Sequence, residues 1–285
     1  MRFATVEKQG GSRLGVCIGN EVVDISDAFG SSLPDLGAFL SAGMGGRLEE
    51  VGRRVASASA AARRSIDQTF RPPVEKPGKI LCLGLNYRDH AKEAGLAIPE
   101  YPVVFLRAAT SLAAHNQDIP LSPLSSKLDF EGELAVVIGR RARNVARGEA
   151  LDYVFGYSIL NDLSYRDFQL RTPQWTVGKN FDGTAPLGPV VVTADELPPG
   201  AKGLRLVTRV NGEVVQDGTT SDMIFDVADS VADLSSTMTL EPGDVIATGT
   251  PAGIGGTRKP PLWLKSGDVC EVEIERIGTL SNRIT

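Results

Sequence analysis

Residues 128–138 read Leu-Asp-Phe-Glu-Gly-Glu-Leu-Ala-Val-Val-Ile, and they carry the strongest structural signal in the chain. The apolar, β-branched end of this stretch is typical of a β-strand. Side chains two residues apart on a strand share a face, so Glu131 and Glu133 are predicted to project side by side. Two carboxylates this close repel each other and raise each other's pKa unless a cation lies between them. Gly132, between them, lets another group approach the backbone.

The third carboxylate of this cluster is predicted at Asp162, at the end of the strand signal over residues 159–161. Three carboxylates without His or Cys form a hard-oxygen ligand set, which suits Mg²⁺ or Mn²⁺ and argues against Zn²⁺. The alternative is that Glu131 and Glu133 line a solvated edge of a sheet. The apolar residues that follow them weaken this alternative.

Short runs of β-branched residues separated by turns recur along the chain, which favours a strand-rich fold. Strands are predicted at residues 3–6, 13–16, 22–25, 80–85, 103–106, 128–138, 157–163, 190–192, 206–210, 213–216, 245–248, 269–274 and 277–284. Helical spacing predicts helices at residues 33–68, 87–95 (capped by Asn86) and 224–240, and one helical turn at 164–169. Asn211-Gly212 is a strong hairpin signal, and Gly10-Gly11 marks an earlier turn. The fold class is therefore α+β, mostly β.

Two proline clusters between residues 71 and 78 interrupt these patterns and are typical of a linker. They predict a small N-terminal α+β domain, residues 1–72, and a larger, mostly β domain, residues 73–285.

The overall composition excludes several classes of protein. The net charge of −5 gives no sign of a basic face for nucleic acid. The three cysteines, Cys17, Cys82 and Cys270, are far apart, which argues against a disulfide framework and suits a reducing cytoplasm. No apolar run approaches the ~18 residues that span a bilayer, and no signal peptide is evident. We therefore predict a soluble cytoplasmic protein without nucleic-acid or membrane partners.

Two further motifs offer groups for acid–base chemistry. His90 and Glu93 lie three residues apart on the predicted helix, a spacing at which side chains meet. A carboxylate orients a neighbouring imidazole and raises its basicity, so the pair could be a general-base dyad or an ordinary surface pair. Lys179 lies between aromatic and glycine residues, where it could stabilise an enolate or a carboxylate, or occupy a surface turn.

Residues 248–256 read Thr-Gly-Thr-Pro-Ala-Gly-Ile-Gly-Gly and follow a predicted strand. Consecutive N–H groups in such a turn can bind an anion, although a plain turn is the default interpretation. The turn matches neither a Walker A loop nor a dinucleotide fingerprint. Arg88, Arg107 and Arg166 lie near these motifs, and arginine suits bidentate binding of a carboxylate. We predict that Arg88 and Arg107 contact the substrate.

Five motifs occur in an order that resembles the fumarylacetoacetate hydrolase superfamily over residues 77–285. They are Gly-Leu-Asn-Tyr-Arg-Asp-His-Ala at 84–91, Glu-Gly-Glu at 131–133, Asn-Asp-Leu-Ser-Tyr-Arg-Asp-Phe-Gln at 161–169, Gly-Lys-Asn-Phe-Asp-Gly at 178–183 and Thr-Gly-Thr-Pro-Ala-Gly at 248–253. The chain has Leu83 where animal fumarylacetoacetate hydrolases place a fourth acidic ligand, so it resembles the smaller bacterial-type branch. Many members also have Lys-Pro where this chain has Arg107-Ala108.

The resemblance implies a mixed β-roll core with a homodimer formed through the second domain. It implies a metal held by the carboxylates already named, the His90–Glu93 dyad on a mobile lid helix, and Lys179 as the active-site lysine. It places Gln169 and Thr250 against the substrate.

The implied activity is metal-dependent C–C hydrolysis of a small 1,3-diketo acid of the acylpyruvate or fumarylpyruvate type. Glu93 would orient His90, which would activate water, while the metal and Lys179 would hold the charge of the departing enolate. The same site could instead decarboxylate or tautomerise oxaloacetate, or isomerise a hydroxydienoate. A non-catalytic ligand-binding module is a further alternative.

Overall fold

The structure is a computed structural model that describes residues 1–8, 11–26, 29 and 33–285. In this part of the chain the strands are β1 Arg2–Lys8, β2 Gly11–Ile18, β3 Glu21–Asp24, β4 Arg63–Ser65, β5 Phe70–Arg71, β6 Ile80–Gly84, β7 Val103–Arg107, β8 Leu112–Ala113, β9 Leu128–Asp129, β10 Gly132–Ile138, β11 Val154–Asn161, β12 Ser164–Tyr165, β13 Ala185–Thr193, β14 Arg205–Val210, β15 Glu213–Thr219, β16 Val245–Ala247, β17 Val269–Ile274 and β18 Gly278–Arg283. The α-helices are α1 Leu36–Ser41, α2 Leu48–Ala56, α3 Arg88–Glu93, α4 Arg166–Gln169, α5 Thr176–Lys179 and α6 Val227–Thr237. The predicted mostly β fold with few helices is confirmed.

Most strands join one large mixed sheet, in the order β4-β3-β2-β1-β13-β11-β10-β16-β6-β7. A smaller sheet, β15-β14-β17-β18, packs against it, and the main core lies between the two. Every residue of β10 and β11 is buried, which explains the unbroken apolar run in the sequence. Burying each large aliphatic side chain contributes about 1.5–3 kcal/mol, so this pair of strands gives the site at its end a rigid base.

The N-terminal strands extend the large sheet. β1 pairs antiparallel with β13, from Arg2 opposite Val192 to Ala4 opposite Val190. The Phe3 ring packs on Phe155 at a centroid distance of 5.3 Å. A separate small α+β domain is therefore not confirmed, and the boundary between residues 72 and 73 stays a prediction.

Three predicted elements differ from the structure. The helical stretch over residues 33–68 is wrong near its end, because β4 pairs with β3 and this pairing overrides the helix propensity of an Ala/Arg-rich segment. The single strand over 128–138 is wrong at residues 130–131, where β9 turns away to pair with β12 while β10 pairs with β11. Asn86 does not cap α3, because its side chain bonds to Phe225 and to the Thr248 carbonyl.

Two other predictions concern turns and helix ends. Asn211 and Gly212 both have positive φ, 53° and 84°, as the hairpin between β14 and β15 requires. The helix predicted at 224–240 is shorter, because Asp226 and Asp229 form a capping box that starts it at Val227. Gly10 of the predicted first turn lies outside the described residues. Among the described residues, the helices are too short or too polar to cross a bilayer.

Candidate active site

Three carboxylates meet where β10 and β11 face the second sheet. Glu131 lies in the break before β10, Glu133 lies on β10, and Asp162 directly follows β11. One oxygen from each lies within 4.8 Å of the others, and all three side chains are buried. A Cβ at Gly132 would lie 2.4 Å from the Thr208 Oγ1 atom, so the second sheet approaches the backbone here as predicted.

Lys179 contacts two of the three carboxylates. Its side chain is 2% exposed, and its Nζ donates to Glu131 and, at 2.6 Å, to Asp162 Oδ2. Burial disfavours the ammonium, but the charges of Asp162 and Glu131 outweigh burial and raise the pKa of Lys179. The lysine is therefore a fixed cation in the cluster.

The protein's own cations do not balance all three carboxylates equally. Burial alone would raise the pKa of Glu131, but Arg166 and Lys179 lower it well below its usual range. Burial raises the pKa of Glu133, and the charges of Asp162 and Glu131 raise it further. The charged form of Glu133 is therefore disfavoured unless further positive charge is bound beside it. A divalent cation would supply that charge, and three hard oxygen donors within reach of one another fit such an ion.

Arg107 lies behind the carboxylates. Its guanidinium donates to Asp162 Oδ1 at 2.7 Å, to the carbonyls of Leu163 and Lys179, and to both oxygens of Thr184. These contacts use all five N–H groups of the guanidinium, and the side chain is buried. Arg107 is not among the residues that line the cavity, and its predicted contact with the substrate stays a prediction. The residue fixes Asp162 and the backbone of Lys179.

Arg166 is the arginine that lines the cavity, and the sequence interpretation did not select it. Its guanidinium donates to Glu131 Oε1 at 2.7 Å, to Gln169 Oε1 at 2.8 Å and to Asp129 Oδ2 at 2.7 Å. Asp129 is buried and also accepts the N–H groups of Gly255 and Gly256. The sequence did contain a signal for this residue. Arg166 lies within the 161–169 motif, and Asp129 lies two residues before the Glu-Gly-Glu motif.

The helix α3 carries His90 and Glu93 over the carboxylates. The imidazole Nδ1 lies 3.4 Å from Glu93 Oε2, so the predicted spacing brings the pair together. The Gly253 N–H donates to the Glu93 carboxylate at 3.0 and 3.1 Å, which holds this end of α3 against the 248–256 turn.

Arg88, also on α3, points away from the cavity. Its guanidinium donates to the carbonyls of Met223, at 2.5 Å, and Asp222. The side chain is exposed and bound to another segment, and its predicted contact with the substrate stays a prediction.

The glycine-rich turn over residues 248–256 binds carboxylates of the protein itself. N–H groups donate from Gly249 to Glu133, from Ala252 to Asp89, and from Gly253 to Glu93. The predicted anion-binding property is thus used to position acidic side chains of the site. Thr250 faces the cavity and accepts a hydrogen bond from Gln216 at 2.8 Å.

These residues surround one cavity of about 540 Å³. Its polar wall contains His90, Glu131, Glu133, Asp162, Arg166, Gln169, Lys179 and Thr250. Its outer wall is apolar and includes Leu96, Val103, Phe105 and Trp175. Both histidines of the chain are described, and His115 lies elsewhere, against the Phe70 ring and the Ser281 N–H. The cavity thus combines one imidazole, one lysine and three carboxylates.

Comparison with known proteins identifies relatives of this arrangement. Residues 79–285 match the family model described as fumarylacetoacetate (FAA) hydrolase C-terminal. The human protein named oxaloacetate tautomerase FAHD2A, mitochondrial, is 40% identical over 279 residues, which cover 96% of this chain and 88% of the human protein. The Bacillus subtilis protein named oxaloacetate tautomerase YisK is 48% identical over 217 residues, covering 74% of this chain and 71% of that protein.

The predicted cytoplasmic location stays a prediction, since the human relative is named as mitochondrial.

A solved structure covers the full length of the fold. Maleylpyruvate hydrolase from Sphingobium sp. SYK-6, in complex with manganese(II) and pyruvate, is 30% identical with a TM-score of 0.81, covering 100% of this chain and 99% of that one. The sequence motifs, the buried acidic triad and the match to the family model all point to the same family. This chain belongs to the fumarylacetoacetate hydrolase family.

Proposed function

We propose that this chain is a divalent-cation-dependent enzyme that interconverts the keto and enol forms of oxaloacetate or of a closely similar 2-oxo diacid. The observation that carries the proposal is the placement of one imidazole, backed by a carboxylate, in the same cavity as a carboxylate triad and a lysine. The reaction moves one proton between carbon and oxygen, and this set supplies a proton carrier and a place for negative charge. The names of the human and Bacillus subtilis relatives support the choice of oxaloacetate.

Glu131, Glu133 and Asp162 would hold Mg²⁺ or Mn²⁺, which when bound supplies a Lewis acid for the 2-oxo acid end of the substrate. Arg166 fixes the carbonyl oxygen of Gln169, so the Gln169 amide N–H groups are left to donate to a substrate carboxylate. Two of the three N–H groups of Lys179 donate to Glu131 and Asp162. The third N–H is left for the oxygen on which negative charge develops.

His90 would transfer the proton. Its Nδ1 faces Glu93, so Nε2 is the nitrogen that remains for the substrate. Nε2 takes a proton from the carbon next to the 2-oxo group, and a proton is returned to the oxygen to give the enol. The apolar wall keeps water away from this transfer and strengthens the electrostatic interactions around it.

Hydrolysis of an acylpyruvate, the activity that the sequence alone suggested, remains the second candidate. The observation that favours it is the size and apolar outer wall of the cavity, which offer room beyond a four-carbon acid. In that reaction His90 would instead deprotonate water, and the C–C bond would break to give pyruvate and a carboxylic acid.

A substrate panel separates the two. We expect the enzyme with Mn²⁺ to accelerate the ketonisation of enol-oxaloacetate, followed by ultraviolet absorbance, and to lose this activity in excess chelator. The His90→Ala enzyme at the same Mn²⁺ concentration corrects for catalysis by the free ion. Release of pyruvate and a carboxylic acid from acylpyruvates, at a higher kcat/KM than oxaloacetate ketonisation, would replace the tautomerase assignment by hydrolysis.

We also propose that a second copy of the chain covers β7, the last strand on that side of the large sheet. β7 exposes Val103, Val104 and Leu106, and Ile98 and Tyr101 before it are exposed as well. A free apolar edge strand invites pairing with another chain. Val103 also lines the cavity, so the partner would lie beside the mouth of the site.

Light scattering at micromolar concentration is expected to give a homodimer for the wild type and a monomer for Leu106→Glu. Val214→Glu is the matched control, because Val214 on β15 and Leu106 are both 51% exposed. A monomeric wild type, or equal loss of dimer in both variants, would contradict the assignment of this surface.

A further inference from the structure

The helix that carries the acid–base pair is too short to be stable by itself. α3 has 6 residues, and isolated helices shorter than about 12 residues are marginal in water. Its first N–H groups also need acceptors from outside the helix. Tyr87 occupies the N-cap position and provides no side-chain hydrogen bond. The position of His90 and Glu93 therefore depends on what holds this N-terminus.

The missing cap comes from a distant segment. Asp222 Oδ2 accepts the Asp89 N–H at 2.9 Å, across 133 residues of sequence. Asp222 ends the short 3₁₀ helix Thr220–Asp222, which follows β15. The Arg88 guanidinium donates to the carbonyls of Met223 and Asp222, so the same segment is bound twice by the first turn of α3.

The Asp89 side chain accepts a further N–H group of the first turn of α3. Its Oδ1 accepts the His90 N–H at 2.6 Å and the Ala252 N–H at 3.3 Å. Burial and the neighbouring Asp222 carboxyl raise the pKa of Asp89. Asp222 thus touches the residue that bonds directly to the backbone of His90, yet it does not line the cavity.

We propose that Asp222 is a positioning residue, which caps α3 from a separate segment and so holds His90 and Glu93 over the carboxylate triad. The inference rests on the proposed function, since it assigns that pair the proton transfer. Asp222 is not among the residues that line the cavity and bonds instead to Asp89. Its effect reaches the reaction only through the population of correctly placed α3.

Hydrogen exchange followed by mass spectrometry tests the cap without reference to activity. Loss of an Asp cap shifts a helix equilibrium by roughly 5- to 10-fold. In Asp222→Ala we expect the amides of residues 88–95 to exchange faster by about this factor. Asp222→Asn keeps an acceptor oxygen at the same place and should restore slow exchange to within about twofold.

Kinetics then test the link to the reaction. Asp222→Ala should lower kcat/KM by at most the same 5- to 10-fold, because only the capped population is competent and its fraction falls in full proportion only when it is the minor state. Asp222→Asn should recover it, and Mn²⁺ affinity should be equal in all three proteins. Asp35→Ala is the matched control, because Asp35 caps α1, another helix of 6 residues, through the Ala38 N–H. It should cost stability without changing exchange at α3 or kcat/KM.

The outcomes are distinguishable. Unchanged exchange at residues 88–95 in Asp222→Ala would overturn the cap itself. Faster exchange with unaltered kcat/KM would overturn the positioning role while leaving the cap in place. If the wild type does not act on any 2-oxo acid, the proposed function fails, while the exchange result still decides the cap.

Discussion

Glu133→Gln is expected to abolish binding of the divalent cation and, at the same time, to make the cation-free protein more stable. Glutamine keeps the size of the side chain and an oxygen that can accept the Gly249 N–H. It removes the one carboxylate whose charge is disfavoured by burial, Asp162 and Glu131 together. We expect Mn²⁺ affinity to fall by more than about 100-fold. Even the loss of a residue that only hydrogen-bonds to a metal ligand lowers metal affinity by about 10- to 100-fold.

Glu131→Gln provides the comparison of opposite sign. The Glu131 charge is used by Arg166 and Lys179, so its loss leaves two buried cations with one partner fewer. Both variants should lose Mn²⁺ binding in calorimetry. In chelator, the Tm should rise for Glu133→Gln and fall for Glu131→Gln, by roughly 2–4 °C for each kcal/mol. Mn²⁺ affinity close to wild type in either variant would contradict the triad as the cation site.

His90→Ala is expected to lower turnover by about 10²- to 10⁴-fold, the usual contribution of general acid–base catalysis. Mn²⁺ affinity should be unchanged, because the imidazole is not part of the carboxylate triad. Glu93→Gln should have a smaller effect, since an amide can still bond to the imidazole and accept the Gly253 N–H. Stopped-flow ketonisation with each variant, at matched Mn²⁺, gives these ratios.

Near wild-type turnover in His90→Ala would mean that the reaction needs no protein base. The second histidine could not take over, because His115 packs against Phe70 and accepts the Ser281 N–H away from the cavity. A decarboxylation, which needs mainly an electron sink, would then explain the activity better than tautomerisation or hydrolysis. Measuring pyruvate and carbon dioxide from oxaloacetate would distinguish that case.

The carboxylate cluster could be predicted because charged residues beside an apolar strand need a specific reason to be buried. The geometry behind the prediction was only partly right. Glu131 lies in the break before β10, where its N–H donates to Asn161 Oδ1 instead of joining the strand ladder. Residue spacing brought the two carboxylates together, but the break depends on pairing partners that the local sequence does not specify.

The contacts of single polar side chains were harder to predict. Arg107 and Arg166 look alike in the sequence, but one is buried with all its donors used and the other lines the cavity. Asn86 is of a residue type that caps helices, but it lies one residue before the N-cap position of α3, and the cap comes from Asp222. Apart from the contact between Arg166 and Gln169, these partners are distant in sequence, and residue spacing alone does not identify them.

The pairing of β1 with β13 also constrains how the chain folds during synthesis. The Met1 amino group bonds to Thr193, 192 residues further along the chain. At a synthesis rate of about 5–20 residues per second, β1 waits about 10–40 s before β13 leaves the ribosome. Contacts of such high sequence separation also slow folding, because the closure of a long loop precedes any gain from the contact. One edge of β1 can pair early with β2, which follows it directly in sequence, but its pairing with β13 is among the last to form. Until then one edge of β13 stays open to other chains.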